Sequence, residues 1–307
     1  MPNQLAIEIA GLRLSNPTML AAGILGLSAA TLKEAVEQGA GAVVTKSVGL
    51  EPRSGYTNPT VVQIDNCGLL NAMGLPNPGA KSFAHEVKEL KKSGFSAPLI
   101  TSVFGFTAEE FAEAANILAK AGADAVELNV SCPHVRKTGS EIGQSANLVS
   151  QVVKQVKNAI SDPVIVKLTP NVRDIAEIAV AAAKAGADAV AAINTVRAMA
   201  IDVETARPIL ANKIGGLSGR AVKPIAVRCV YEIYEAVNVP IIGCGGVASW
   251  QDAVEFMLAG ASAVQVGTAI ASEGLGVFKS VCKGIDAYLH DNGLKSVREI
   301  VGLSHRR

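Results

Sequence analysis

This 307-residue sequence has almost no excess of charge of either sign: 28 Lys and Arg stand against 27 Asp and Glu, a net charge of +1. That balance excludes a disordered, highly charged chain, and it offers no basic stripe to a phosphodiester backbone or an anionic lipid surface. Nucleic acid and membranes are therefore not expected partners. Long apolar runs are missing too. The richest stretch, Ile175 to Ile193, is interrupted by Glu177, Lys184 and Asp188, short of the roughly 18 uninterrupted residues a membrane span needs. The first residues, MPNQLAIEIAGLRLSNP, hold Glu8 and Arg13 where a signal peptide has its apolar centre, which predicts a mature, cytoplasmic protein. Cysteine is sparse and ungrouped. Cys67, Cys132, Cys229, Cys244 and Cys282 are odd in number and show no C-x-x-C spacing, which argues against a disulfide framework and against a zinc or iron–sulfur cage. No G-x-G-x-x-G fingerprint for a dinucleotide follows a strand.

What the chain does have is repetition. EQGAGAVVTK (37–46), KAGADAVELN (120–129), KAGADAVAAIN (184–194) and LAGASAVQVG (258–267) are variants of one phrase. In each, a Gly closes an Ala-rich helical segment, small residues turn the chain, and Ala-Val pairs enter a buried strand. PLITSV (98–103), PVIVKL (163–168) and PIIGCG (240–245) add three strands opened by Pro, and TMLAAG (18–23) makes eight. Helical spacing lies between them, as in 108–122, 174–186 and 221–237. Eight strands alternating with helices predict parallel pairing with right-handed crossovers. The fold expected is a (β/α)8 TIM barrel spanning 1–307 as one domain, favoured over an open doubly wound sheet because the phrase recurs to the end of the chain. The Gly-, Pro- and Asn-rich stretch of about 49–94 is too long for an ordinary connection and reads as an insertion over the barrel mouth.

In such a barrel the chemistry sits where strands end. Lys46, Asn129, Asn194 and Gly267 fall seven or eight positions after the capping Gly of their repeats, so they converge on one rim, and Lys167 ends another strand by the same logic. GCGG (243–246) and VGT (266–268) follow the last two strands, where such barrels usually hold a phosphate; GGLSG (215–219) adds a third flexible loop. One Gly pair alone is accounted for by a tight turn, whereas two on adjacent strands favour phosphate. Cys132 stands just past a strand end beside Asn129, in a Ser-Cys-Pro-His loop. A free Cys commonly packs as a small hydrophobe, but here a thiol could meet a bound ligand, with His134 as a candidate for lowering its pKa.

NAMGLPN (71–77), ELNVSCP (127–133), VKLTPN (166–171), INT (193–195), MAIDVETARPILANKIGGLSG (199–219) and GCGGV (243–247) together resemble family 1 dihydroorotate dehydrogenases of the B type, over about Leu14 to Tyr288. The resemblance implies a TIM barrel with FMN at its C-terminal mouth and oxidation of dihydroorotate to orotate in pyrimidine synthesis. It implies that Cys132 is the catalytic base, taking the proton from substrate C5 while a hydride leaves C6 for the flavin. Lys46, Asn71, Ala72, Met73, Gly74, Leu75, Asn129, Asn194 and Thr195 would hold the substrate. Ala22, Lys46, Ser47, Ser102, Asn129, Lys167, Ile193 and Gly219 would line the flavin, with its phosphate on Gly245, Gly246, Gly267 and Thr268; no metal is implied. It also implies a partner subunit carrying FAD and an iron–sulfur cluster that relays electrons to NAD, in a heterotetramer built on a dimer of this chain. Two positions depart from the family pattern. His134 replaces the usual Asn, as in the related dihydropyrimidine dehydrogenase domain, and Ser102 stands where many members have Asn. The alternatives are accordingly a dihydropyrimidine dehydrogenase-like reductase and an A-type enzyme that delivers electrons to fumarate.

Overall fold

The four repeat phrases become four copies of one local structure. Gly39, Gly122, Gly186 and Gly260 all take φ between +103° and +117°, the left-handed turn that ends a helix at little cost only in glycine. Two of the phrases carry an Asp after that turn, and it does the same work twice. Asp124 accepts the Leu99 N–H at 2.7 Å and pairs with Lys91 at 2.6 Å, and Asp188 accepts the Val164 N–H at 2.7 Å and pairs with Lys157 at 2.8 Å. Each carboxylate ties the start of a neighbouring strand to the end of the helix that feeds it.

The computed structural model describes residues 3–65, 67–131 and 142–306. The chain opens with a hairpin, β1 (Ile7–Ile9) and β2 (Leu12–Leu14), whose Ile and Leu side chains are buried. There follow β3 (Thr18–Leu20), α1 (Ala29–Glu37), β4 (Ala42–Val44), the hairpin β5 (Val61–Ile64) and β6 (Gly68–Asn71), α2 (Ala80–Lys92), β7 (Leu99–Val103), α3 (Ala108–Lys120) and β8 (Ala125–Asn129). After α4 (Ala146–Ala159), β9 (Val164–Leu168), α5 (Ile175–Lys184) and β10 (Ala189–Ala192) come the short strands β11 (Val196–Ala198), β12 (Ile201–Asp202), β13 (Arg207–Pro208) and β14 (Gly215–Ser218). The last elements are α6 (Lys223–Ala236), β15 (Ile241–Cys244), α7 (Trp250–Leu258), β16 (Ala263–Val266), α8 (Ala269–Glu273) and α9 (Val277–Asp291).

Eight of these strands close into a parallel barrel in the order β10-β15-β16-β3-β4-β7-β8-β9, and they are the eight that the sequence pattern predicts. Helix starts are set by small polar caps: Thr107 accepts the Glu110 N–H, Asp174 those of Ala176 and Glu177, and Ser249 forms a reciprocal box with Asp252. Among the described residues no helix is long and apolar enough to cross a membrane.

The 49–94 stretch divides in two. Residues up to about 79 form the mouth hairpin β5–β6, whereas α2 is the barrel's own helix between β4 and β7, its buried face being Phe83, Ala84, Val87 and Leu90. A second mouth segment, 196–218, is long enough to reach over the barrel and pair with that hairpin. The four strands form an antiparallel sheet in the order β11-β14-β6-β5, with Gly216 opposite Asn71 and Leu217 opposite Leu70.

Candidate active site

Alternation along the barrel strands puts one set of side chains inside, and here that set is polar near the C-terminal ends. Glu127 and Asn129 come from β8, Lys167 from β9, Cys244 from β15 and Gln265 from β16; all five line one cavity of about 920 Å³ under the mouth sheet. Two hydrogen-bonded systems organise it.

The first is a ladder of neutral groups. Ser102 and Ser47 hydroxyls lie 2.9 Å apart, the Asn129 amide donates to Ser47 at 3.0 Å, and the Asn194 amide donates to Asn129 at 3.1 Å while accepting the Thr195 N–H at 2.8 Å. A carboxamide carries two N–H donors. The ladder therefore leaves a donor on both Asn129 and Asn194 for a planar ligand carrying carbonyls. Lys46, half-buried at the same rim, has no ion pair or side-chain hydrogen bond among the described residues, and burial alone pushes its pKa below the ordinary lysine value.

The second system is charged and lies deeper. Lys167 donates to the Gln265 side-chain carbonyl, and the Gln265 amide donates to the Glu127 carboxylate at 2.7 Å. Burial presses hardest on the Lys167 pKa, and downward, yet Cys244 and Glu127 beside it hold the ammonium above the ordinary lysine value. The other Glu127 oxygen is buried with no partner. Just beyond Cys244 and Gln265, at the ends of β15 and β16, the backbone comes very close to itself. Gly246 has φ +82°, and a Cβ there would sit 2.7 Å from the Gly219 carbonyl oxygen. Gly245 and Gly267 complete a surface of bare backbone at the ends of the adjacent strands β15 and β16, flanked by Thr268, whose hydroxyl donates to Ser218 at 2.8 Å.

Most residues singled out from sequence meet at this cavity. Ala22, Lys46, Ser47, Asn71, Met73, Leu75, Asn129, Lys167, Ile193, Asn194, Thr195, Gly219, Gly245, Gly246, Gly267 and Thr268 line it. Ser102 stands behind Ser47, fully buried. Ala72 and Gly74 do not line it: the Ala72 N–H is spent on the Thr60 carbonyl, and Gly74 is packed against Tyr56. Cys132 and His134 lie outside the described residues. Sequence reasoning missed Glu127 and Gln265, although each is a long polar residue in the middle of an apolar strand phrase, AVELN and AVQVG, which was the available signal. Cys67 and Cys244, two of the scattered cysteines, also line the cavity.

The sequence profile of the dihydroorotate dehydrogenase family matches residues 4–289. The chain belongs to that family. Among the relatives it resembles are proteins named dihydroorotate dehydrogenase B (NAD(+)), catalytic subunit, from Pyrococcus furiosus and Methanosarcina mazei. The first is 53% identical over 300 residues, covering 98% of both chains. The second is 53% identical over 302 residues, covering 98% of this chain and 95% of the relative. A protein of the same name from Methanothermobacter thermautotrophicus is 51% identical over 303 residues, covering 98% of both.

Proposed function

We propose that the cavity holds FMN and dihydroorotate side by side and that the protein oxidises dihydroorotate to orotate in pyrimidine synthesis. The observation that carries this reading is that a bare-backbone cradle after β15 and β16, an asparagine ladder and two lysines, Lys46 and Lys167, all line one cavity. The residues present fit a flavin phosphate, because Gly245, Gly246 and Gly267 present backbone free of side chains at the ends of two adjacent strands that line the cavity, with the Thr268 hydroxyl beside them. FMN, when bound, supplies a two-electron acceptor.

The chain's own residues do the rest. Gly245, Gly246, Gly267 and Thr268 hold the phosphate, while Ala22, Ser47, Ser102, Ile193 and Gly219 shape the slot for the ring and its chain. Lys167 would provide a fixed positive charge that stabilises the anionic reduced flavin. Asn71, Asn129, Asn194 and Thr195 would orient the pyrimidine through its amides and carbonyls, with Met73, Leu75 and Lys46 lining the same cavity. Cys132 takes the proton from substrate C5; a free thiol has a pKa of about 8.5, so its thiolate fraction rises through neutral pH.

The reading includes a partner subunit that would carry FAD and an iron–sulfur cluster and relay the electrons to NAD, in a heterotetramer built on a dimer of this chain. Support comes from the lack of any dinucleotide fingerprint in the sequence and from relatives named as catalytic subunits of an NAD(+)-linked enzyme.

The test is spectroscopic. The purified protein is expected to take up FMN and to lose the oxidised flavin absorbance on anaerobic addition of dihydroorotate without nicotinamide; a colourless protein that takes up no FMN overturns the reading. Assays of the pure chain with NAD or fumarate, repeated with the partner, check the acceptor. Substantial NAD reduction by the chain alone removes the need for a partner, and rapid fumarate reduction moves the protein to the A type.

A further inference from the structure

Glu127 and Gln265 stand on strands that face each other across the barrel, four places apart in a closed ring of eight. Their hydrogen bond therefore spans the barrel interior rather than joining neighbours. Glu127 is fully buried, Gln265 is 1% exposed and Lys167 is 5% exposed. The Gln265 amide lies between a cation and an anion, with its carbonyl toward the ammonium and its NH2 toward the carboxylate, so its orientation is fixed by its two neighbours. A direct Lys167–Glu127 pair would be the simpler way to bury both charges. Such a pair would spend the ammonium on the carboxylate and leave little positive potential for a ligand. Interposing a neutral amide keeps Lys167 protonated while its charge is only partly offset.

We propose that Gln265 is a positioning residue that spaces Lys167 from Glu127, holding the ammonium at the cavity floor with its positive potential directed at the electron-rich edge of a bound flavin. The inference rests on the flavin reading above. It adds that the balance between the oxidised and reduced forms of the bound ring is set from β16 by a residue that need not touch the ring. Glu127 is the second member of the device: with Cys244 beside the ammonium it keeps Lys167 protonated, and the amide limits how much of the carboxylate's charge the lysine feels.

The test compares Gln265→Glu and Gln265→Met with wild type by measuring FMN affinity in both oxidation states and the midpoint potential of the bound flavin. Gln265→Glu places a second carboxylate against Lys167 and should weaken binding of reduced FMN relative to oxidised FMN about tenfold, a fall of about 30 mV for a two-electron couple. Gln265→Met preserves approximate volume, removes both hydrogen bonds and should lower the potential less, as Lys167 is released toward Glu127. Wild-type potentials in folded, FMN-loaded variants would overturn the proposal. So would failure of both variants to show a cooperative thermal transition, because Gln265 would then be a structural crosslink. Failure of the wild-type protein to bind FMN would instead remove the underlying reading, so the two results are distinguishable.

Discussion

Two lysines face the same cavity, and the protein treats them in opposite ways. Lys46, after β4, is half-buried with no ionic partner among the described residues, and its pKa is pushed down by burial. Lys167, on β9, is buried more completely, yet its pKa is held up by Cys244 and Glu127. Burial alone does not decide the charge of a group; what is buried with it does. The difference assigns the two lysines different work. Lys167 is a permanent cation built into the floor, whereas Lys46 has no compensating anion among the described residues, as the proposed function asks of a lysine that meets a ligand.

If that division holds, neither lysine moves the proton, and the largest kinetic effect belongs elsewhere. Cys132→Ser should slow flavin reduction by about 10²- to 10⁴-fold near neutral pH while orotate still binds. Equal rates in rapid mixing would break the assignment, and wild-type reduction should quicken as pH rises and the thiolate accumulates.

The lysines themselves should then separate cleanly. Lys46→Met should lower turnover by about 10²-fold, as for the loss of one preorganised donor, yet leave the melting temperature equal or higher because a costly buried charge is gone. The sign can be checked by pH. A lysine whose folded pKa is lowered destabilises the protein below that pKa, and the penalty is relieved as pH rises toward the unfolded value of about 10.4. The stability advantage of Lys46→Met should therefore shrink over that window. Lys167→Met should do the reverse and destabilise by about 3 kcal/mol, since the Glu127 carboxylate would remain buried without its cation. Wild type should lose that advantage only as pH climbs past about 10.4, because the folded pKa of Lys167 is raised. Calorimetry over pH reads both, and equal responses of the two variants would erase the distinction.

Smaller effects sharpen the picture. Gly246→Ala should cost about 1–2 kcal/mol from its left-handed backbone and should weaken FMN binding, read by flavin release. Lys223 is a control cation outside the cavity floor. It bridges Asp252 at 2.8 Å and Glu255 at 2.7 Å, and these hydrogen bonds raise its pKa. Lys223→Ala should cost under about 1 kcal/mol, because the pair is partly solvated, and it should leave the flavin potential unchanged. That cost should vanish above about pH 10.4 as Lys223 loses its proton.

The barrel was legible because its repeat signals are local: a capping glycine, a tight turn and an Ala-Val strand each declare themselves within ten residues. The strand-end Lys and Asn were legible for the same reason, since equal spacing from the capping glycine puts them on one rim. Glu127 and Gln265 were not, although both stand inside repeat phrases, because a single long polar residue in a strand says nothing about what it faces 138 positions away. The mouth sheet was half legible. Its first hairpin lies in the 49–94 stretch, but its pairing with 196–218 is a contact between distant segments that no local pattern encodes.

By itself, the sequence determined the number and order of the barrel strands, the turns between them and the ring of polar residues at their ends, because these follow from backbone propensity and periodicity over short spans. Only the tertiary structure decided which lysine keeps an anion near it and which has none among the described residues. That choice depends on barrel closure, which sets β16 opposite β8 and lets one glutamine reach both Lys167 and Glu127.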